Sequence, residues 1–495
     1  MKLKVKDMDI ATGGVLITIL NIDDARKLDL YPEDRIVLKK GKKITTAVVD
    51  IAESKKAVPP GSIGLFEEVL DKLNAKNGNL VDIDIQEKPI SISFIKKKLD
   101  GKKLTTPEIN KIVKHIVQGR LTDIELAYYI AASYTKHMEL SETVALTKAM
   151  AEHGGKLDFK SPVVIDKHCT GGVPGNRTTM IVVPILAAAG LTVPKTSSRS
   201  ITSPAGTADT MEVLTSVSLS LDKIKKVVKK TNACIVWGGA VDLAAADDKM
   251  IRVRHSLSID PEGMLLSSIL AKKAAVGSTH VFIDIPLGKD TKIKTEKEAN
   301  HLKRKFIQIG RRLGMKVKVK ITNGSHPIGK GIGPVLEARD VLYVLRRDPK
   351  KPLDLEIKCL KMAASILKMA GIKNAKVKAK EILDSGSAYE KMKEIIKEQG
   401  GNPNIDPDKM RLGKFTYTYK SPKSGKIKDI DNFTISKMAR IAGAPRDKEA
   451  GLYLYKNERS YVKKGEPIFT LYSDSRTKLN YALHVLKRSD GIKIV

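Results

Sequence analysis

Two short stretches of the chain combine glycine, hydroxyl and basic residues in a pattern suited to holding an anion. The first is DKHCTGGVPGNRTT, residues 166–179, and the second is TSSRSITSPAGTADTME, residues 196–212. Each follows an apolar run with strand character, VVID and LTVPKTS, and precedes a stretch with helical character. A turn in that setting leaves unpaired backbone N–H groups at a helix N-terminus, where they and the helix dipole favour negative charge. In the first turn Lys167 adds a point charge, Thr170 a hydroxyl, and Gly171 and Gly172 let the backbone approach a ligand closely. In the second, a run of hydroxyls and Arg199 precede a helix expected to start near Thr207. Serine and threonine also crowd ordinary turns and caps, so one such loop is ambiguous; two close together in the same setting point to a phosphate site.

A third stretch, RHSLSIDPEGMLLSSILAKKAAVG (254–277), places Asp260 before a Pro-Glu-Gly turn and puts Ser268 and Lys272 on one face of the helix that follows. An aspartate beside a turn is ordinarily an Asx-turn, so Asp260 gains interest only where a proton must be supplied. A fourth, GSHPIGKG (324–331), begins like a P-loop after the run KVKVKIT, yet Gly331 stands where the Mg²⁺-binding Ser or Thr belongs. The apolar VFIDI imitates a Walker B strand but precedes the loop, which argues against an NTPase.

The elements that must position these residues form an α/β multidomain pattern. Residues 1–88 read as a small N-terminal β-rich domain, with strands in KLKVKD, GVLITIL, DRIVLKK, TTAVVDI and LVDIDIQ and a helix opening at Ser62. It carries no convergent catalytic residues, which leaves assembly as its expected duty. A helical domain follows over 92–157: Thr106 caps, Pro107 takes the first helical position, and Ile109, Ile112, Val113, Ile116 and Val117 form one stripe. Thr122 with Glu125 makes a capping box for the next helix, and a third runs from Ser141 to Gly154. Alternating strands and helices over 160–242 and 277–407 indicate a large α/β domain with a mixed sheet, and 408–495 reads as a C-terminal α+β segment.

At 495 residues the chain is long for one core, and its formal charge of +33 draws anions toward the surface. The lysines behind that charge are scattered, and aromatics at 4% argue against stacking platforms for single-stranded nucleic acid. The start, MKLKVKDMDI, lacks the apolar core of a signal peptide, and the longest apolar stretch, Met180 to Gly190, is broken by Pro184. A cytoplasmic protein without a membrane partner is therefore expected. The three cysteines, Cys169, Cys234 and Cys359, have neither disulfide-framework nor zinc-site spacing.

With these motifs in view, a family resemblance emerges. TSSRSITSPAGTADTMEVL resembles the signature of the thymidine (pyrimidine-nucleoside) phosphorylase family, and DKHCTGGV resembles that family's Lys-His-Ser-x-Gly-Gly phosphate loop, in the right order and separation. SPAGTADTME, the VPGN insertion, LAAADDKMIRVRHSLSIDPEG, AKKAAVGSTHVFIDIPLGK and IGKGIGPVLEARDVL are similar to archaeal members acting on nucleoside 5′-monophosphates. The resemblance spans essentially the whole chain. It implies a helical domain, also recruiting about 243–276, and an α/β domain with the site in the cleft between them. It also implies that Lys167 binds phosphate, that Gly172, Ser198, Arg199, Ser200, Ile201, Thr202, Ser203, Thr207, Ser268 and Lys292 contact the nucleotide, and that Asp260 donates a proton. Lys289 lies close enough in LGKDTK to compete with Lys292, and His168 is the second candidate for the donor. Cys169 departs from the family's serine, Ala246 stands where proline is common, and the base-recognising arginine falls at Arg252 or Arg254, so base preference stays open.

The implied reaction is phosphorolysis of AMP to adenine and ribose 1,5-bisphosphate. Inorganic phosphate is a substrate, no cofactor or metal takes part, and the protein is a homodimer or higher homo-oligomer with no nucleic-acid partner. For Asp260 to act as an acid near neutral pH, its site must desolvate it or surround it with acceptors, which favours a closed cleft. A nucleotide substrate further requires donors for its 5′-phosphate, and Arg199 with Ser200, Thr202 and Ser203 could supply a guanidinium fork and hydroxyls together. Three rivals remain. A nucleoside phosphorylase would not need those donors. An anthranilate-type phosphoribosyltransferase would hold Mg²⁺ through an acidic pair, for which Asp247 and Asp248 are the candidates. A basic nucleic-acid-binding protein would leave the two loops unexplained.

Overall fold

The computed structural model describes residues 1–495 except 14–15, 86–87, 201–202, 242, 258 and 488–490. The chain forms two compact units, one of residues 1–149 and 246–264, the other of 150–245 and 265–495.

The first unit opens with six strands: β1 (Lys2–Asp7), β2 (Ile17–Asn21), β3 (Arg35–Lys40), β4 (Lys43–Ala52), β5 (Ser62–Leu65) and β6 (Leu80–Ile85). They close into a barrel in the order β1-β5-β2-β4-β3-β6, which removes free edges. Leu3, Leu20, Ile36, Leu38, Val49, Ile63 and Leu65 fill its interior. The helix expected from Ser62 begins only at Glu67. Ile63 and Leu65 sit two apart and both face inward, the period of a strand, whereas Val69, Leu70 and Leu73 follow helical spacing. A further short helix, Ile22–Lys27, is capped by Asn21 and was not foreseen.

Helices Ser91–Leu99, Thr106–Val117, Asp123–Thr135 and Leu140–Glu152 follow. The cap of the second is Thr105 rather than Thr106, because a capping box needs three residues before its acid: Glu108 Oε2 accepts from Thr105 N at 2.7 Å. The Thr122–Glu125 box forms as expected. Helix Ala245–Leu257 contributes Lys249, whose ammonium donates to the Ile116 carbonyl at 2.8 Å and so ties this later stretch to the helical bundle.

The second unit contains β7 (Ile165–Cys169), β8 (Val193–Ser197), β9 (Ala233–Trp237), β10 (His280–Leu287) and β11 (Lys316–Asn323). All pair in parallel: β11-β10-β7 form one sheet and β8-β9 another, joined by a parallel bridge between Val164 and Thr192. Antiparallel pairing enters where Gly331–Ile332 joins the C-terminal strands Gly451–Leu454, Pro467–Ser473 and Phe415–Lys420. Helix Thr178–Ala188 is apolar nearly all round and buried, at the centre of the largest core cluster. Because the chain runs from β7 outward through β8 and β9, then returns to place β10 on the other side of β7, the strand order reverses at β7. In open parallel sheets, ligands bind in the crevice beyond the carboxyl ends of the strands at such a switch point.

The loop that imitates a P-loop is already occupied by the protein itself. The amides of Lys330 and Gly331 both donate to Asp340 Oδ2 at 2.7 Å, so they are not presented to a phosphate.

Candidate active site

The first glycine-rich loop leaves the carboxyl end of β7, at the switch point. Strand alternation turns Asp166 and Lys167 to opposite faces of the sheet. Lys167 is buried and its ammonium donates to Thr178 Oγ1 at 2.6 Å and Thr179 Oγ1 at 3.3 Å, in the first turn of the buried helix. Burial pushes the Lys167 ammonium below its usual range, an effect that the nearby Cys169 thiol and the Asp284 carboxylate oppose. On the other face, Asp166 pairs with Lys273 at 2.7 Å and Lys195 at 3.4 Å, and burial lowers Lys195 to about 7.

Gly171 and Gly172 both have φ of +92°, a conformation that L side chains rarely adopt. At Gly172 a Cβ would also stand 2.7 Å from Thr291 Cα and 3.2 Å from Lys292 N. The glycine therefore lets the turn after β10 rest on the turn after β7, and it brings Gly172 and Lys292 together. The two candidate lysines differ in their partners: Lys289 pairs with Asp429 at 2.6 Å and Asp431 at 3.3 Å, whereas the exposed Lys292 makes no ion pair among the described residues.

Four buried polar atoms at this end of the sheet lack a protein partner: Thr170 Oγ1, Asn176 Oδ1, Thr196 Oγ1 and Ser197 Oγ. Buried polar atoms are paired in the great majority of cases, so this clustering fits a crevice that receives a polar ligand. Cys169, in the family's serine position, accepts a long contact from Asn176 Nδ2 at 3.4 Å, and burial raises its thiol. His168 is held far below the usual imidazole range by burial and by Lys273, Lys195, Lys167 and Lys272. These surroundings favour its neutral form.

The second loop leaves the carboxyl end of β8 and leads into the short helix Thr207–Met211. Asp209 Oδ2 accepts from the amides of Ser200 at 2.7 Å and Gly206 at 2.9 Å. A Cβ on Gly206 would meet Ser198 O and Ser200 N, both at 2.7 Å, so the glycine lets the loop fold onto itself. Ser200 and Ser203 hydroxyls lie 3.0 Å apart, Ser198 is exposed, and Ile201 and Thr202 fall outside the described residues.

Arg199 has carboxylate partners within its own loop. Its guanidinium is paired with both oxygens of Glu212 and with Asp209 at 3.3 Å, and lies 4.8 Å over the Trp237 ring. The fork expected to meet a 5′-phosphate is engaged by carboxylates of its own loop, and its bond to Glu212 holds that carboxyl down to about 2. Sequence reasoning also passed over Arg177, which closes the first loop and donates to Thr207 Oγ1 at 3.1 Å and to the Ala205 carbonyl at 3.0 Å. An arginine at the last position before a helix, beside an anion loop, was the available signal.

In the first unit, Asp260 Oδ1 accepts from Arg254 Nη1 at 2.7 Å, and Arg254 also faces the buried Asp247 at 3.6 Å. Arg252 reaches instead to the Gly13 carbonyl of the barrel, at 3.3 Å. Of the two candidate arginines, Arg254 is therefore the one beside Asp260. The surroundings expected of Asp260 are not found, because its side chain is 44% exposed and its partner is a cation rather than a set of acceptors. Ser268 sits half-buried on helix Glu262–Ala275, which starts just after Asp260.

Models of the glycosyl transferase family match in sequence order: its helical bundle domain over 92–154 and its α/β domain over 161–389, followed by the pyrimidine nucleoside phosphorylase C-terminal domain over 426–493. The chain is 46% identical to the AMP phosphorylase of Thermococcus kodakarensis and 44% identical to that of Pyrococcus furiosus, each time over 100% of this chain and 98% of the relative. Among solved structures, anthranilate phosphoribosyltransferase from Thermus thermophilus shares the fold with a TM-score of 0.52 at 18% identity, covering 62% of this chain and 98% of that one.

Proposed function

We infer, from the premise that the chain belongs to the AMP phosphorylase family of glycosyl transferases, that it cleaves AMP with inorganic phosphate to adenine and ribose 1,5-bisphosphate. The observation that carries this reading is the glycine-rich loop at the β7 switch point, where Gly171, Gly172, Lys167 and the unpartnered Thr170 hydroxyl suit a small dense anion.

In this reaction the C1′–N bond of the nucleotide breaks, phosphate oxygen bonds to C1′, and the base leaves with the bond's electron pair and takes up a proton. The first loop holds the phosphate, with Lys167 and the loop amides balancing its charge. Fixing the nucleophile against the anomeric carbon converts a bimolecular attack into an effectively unimolecular one. The second loop, through Ser198, Ser200, Ile201, Thr202, Ser203 and Thr207, together with Gly172, Ser268 and Lys292, forms the nucleotide side. Arg199 shapes that side from behind rather than gripping the 5′-phosphate. Lys292, whose backbone lies against the first loop and which makes no ion pair among the described residues, is better placed to meet a phosphate. Asp260 supplies the proton from Oδ2, since Oδ1 is held by Arg254, once the bound base replaces water at the carboxyl group. Phosphate is the nucleophile and the protein provides the cations, so no cofactor or metal is assigned.

The phosphoribosyltransferase alternative is not favoured, because Asp247 is buried against Arg254 and is not presented to a metal. No helix among the described residues is long and apolar enough to cross a membrane, and a cytoplasmic setting is part of this proposal. The barrel of residues 1–84 serves assembly of a homo-oligomer: its removal is expected to leave a smaller particle by light scattering, and an unchanged particle would refute the assignment. The nucleotide reading itself is tested by kcat/KM for AMP against adenosine, and for AMP against the other nucleoside monophosphates. Adenosine as the better substrate would replace it with a nucleoside phosphorylase.

A further inference from the structure

Arg177 touches three parts of the second unit at once. It is the N-cap residue of helix Thr178–Ala188 and therefore part of the first loop. Its Nη1 and Nη2 reach the second loop at Thr207 Oγ1 and the Ala205 carbonyl, and its Nε forms an ion pair with Glu337. Glu337 lies in the first turn of helix Pro334–Leu345, is 1% exposed, and accepts from Gly333 N at 3.1 Å through its other oxygen. Among the described residues, no other hydrogen bond or ion pair joins 169–177 to 198–207. A guanidinium can do this because its donors form a rigid planar fork; a lysine ammonium at the same place could keep the charge but not the three directions.

We propose that Arg177, oriented by Glu337, is a positioning residue that sets the spacing between the phosphate loop and the nucleotide loop. The proposal rests on the reading that these loops hold the two substrates. Each loop is internally braced: Lys167 is fixed on Thr178 and Thr179 in the first, and Asp209 gathers the amides of the second. Loss of the link should therefore leave each loop able to bind its own ligand while the two ligands fall out of alignment. Displacing reacting groups by about 1 Å costs on the order of a hundredfold in rate.

The test uses the full-length protein with Arg177→Met, Arg177→Lys, Glu337→Gln and the double variant Arg177→Met/Glu337→Met. Melting temperature is measured for each, together with kcat and separate KM values for phosphate and AMP. The single Arg177 variants leave Glu337 buried without a matching partner and can lower the melting temperature. The double variant removes both charges, and it separates folding from positioning. For the double variant the proposal expects a melting temperature near wild type, KM values within about threefold of wild type, and kcat lower by about a hundredfold. Arg177→Lys should behave like Arg177→Met in kcat, and Glu337→Gln, which keeps an acceptor, should fall by less than about tenfold. Near-normal kcat in Arg177→Lys or in the folded double variant would overturn the proposal, as would a rise in KM with kcat unchanged. Absence of phosphate-dependent AMP cleavage in the wild type would refute the functional reading instead, a failure visible before any variant is made.

Discussion

The two loops draw on the same residue types, glycine, hydroxyls and cations, with Lys167 and Arg177 in the first and Arg199 in the second, yet they use them in different ways. The loop after β7 points its buried cation at the start of a helix, holds two glycines at φ of +92°, and keeps the Thr170 hydroxyl unpartnered. The loop after β8 satisfies itself: Asp209 takes the Ser200 and Gly206 amides, and Glu212 and Asp209 take the Arg199 guanidinium. Composition identifies a loop able to bind an anion, but a carboxylate within reach decides whether its donors remain for a ligand. The first loop keeps the Thr170 hydroxyl without a protein partner, whereas the second commits its guanidinium and two of its amides to its own carboxylates.

The comparison breaks first at Lys167. Lys167→Met removes the cation but keeps most of the side chain's length, and kcat/KM for phosphate should fall on the order of 10²- to 10³-fold in steady-state assays. A loss below tenfold would mean that the first loop is not the phosphate loop. Asp260→Asn keeps the shape but has no carboxylic proton, so kcat should drop by roughly 10²-fold with little change in KM. Near-normal turnover would move the donor elsewhere, and His168, whose neutral form is favoured by burial and its lysine neighbours, is the next position to substitute.

Gly172→Ala sharpens the same contrast. A Cβ there meets backbone at 2.7 Å and is strained at positive φ, so the turn carrying Thr291 and Lys292 must shift. The cost should be about 1–3 kcal/mol in stability, read from denaturant unfolding, together with a higher KM for AMP. An unchanged KM would separate Lys292 from the nucleotide. The smallest effect is expected at Arg199. Because its guanidinium faces carboxylates, Arg199→Ala should lower kcat/KM for AMP and adenosine by the same factor, within about tenfold. A selective loss for AMP would restore the 5′-phosphate role. The same variant carries a pH signature. Arg199, with Lys448 as a second partner, depresses the Glu212 carboxyl from 4.5 to about 2, so these pairings contribute stability above 4.5 that is lost as pH falls toward 2. Solvent screens this partly exposed pair, and acid unfolding of the variant should move upward by only a few tenths of a pH unit, about the limit of a careful titration.

What the sequence made legible follows from the range of each interaction. The stripe of Ile109, Ile112, Val113 and Ile116, the Thr122–Glu125 cap and the strand–turn–helix setting of both loops are local patterns, and all of them form. The Ser62 helix failed because an inward pair two apart, Ile63 and Leu65, outweighs helix propensity when a barrel must be closed. At the site, the positions of Lys167 and the glycines were readable, but the partners that assign their duties were not. Lys292 reaches Gly172, Arg177 reaches Glu337, and Lys289 reaches Asp429 only through the fold, across distances in sequence that no spacing rule covers. The partner of Arg199 was nearer: Glu212 stands at the end of the same motif, and a guanidinium near an acid can serve that acid as well as a substrate.

The most direct test is the phosphate dependence of AMP cleavage in the wild-type protein. AMP is incubated first in phosphate-free buffer and then with inorganic phosphate, with and without a chelator, and adenine and sugar phosphate are quantified. Phosphorolysis at the β7 loop predicts stable AMP without phosphate, then equal amounts of adenine and ribose 1,5-bisphosphate once phosphate is added, with the chelator making no difference. Adenine released without phosphate, with ribose 5-phosphate as the second product, or activity abolished by the chelator, would contradict it.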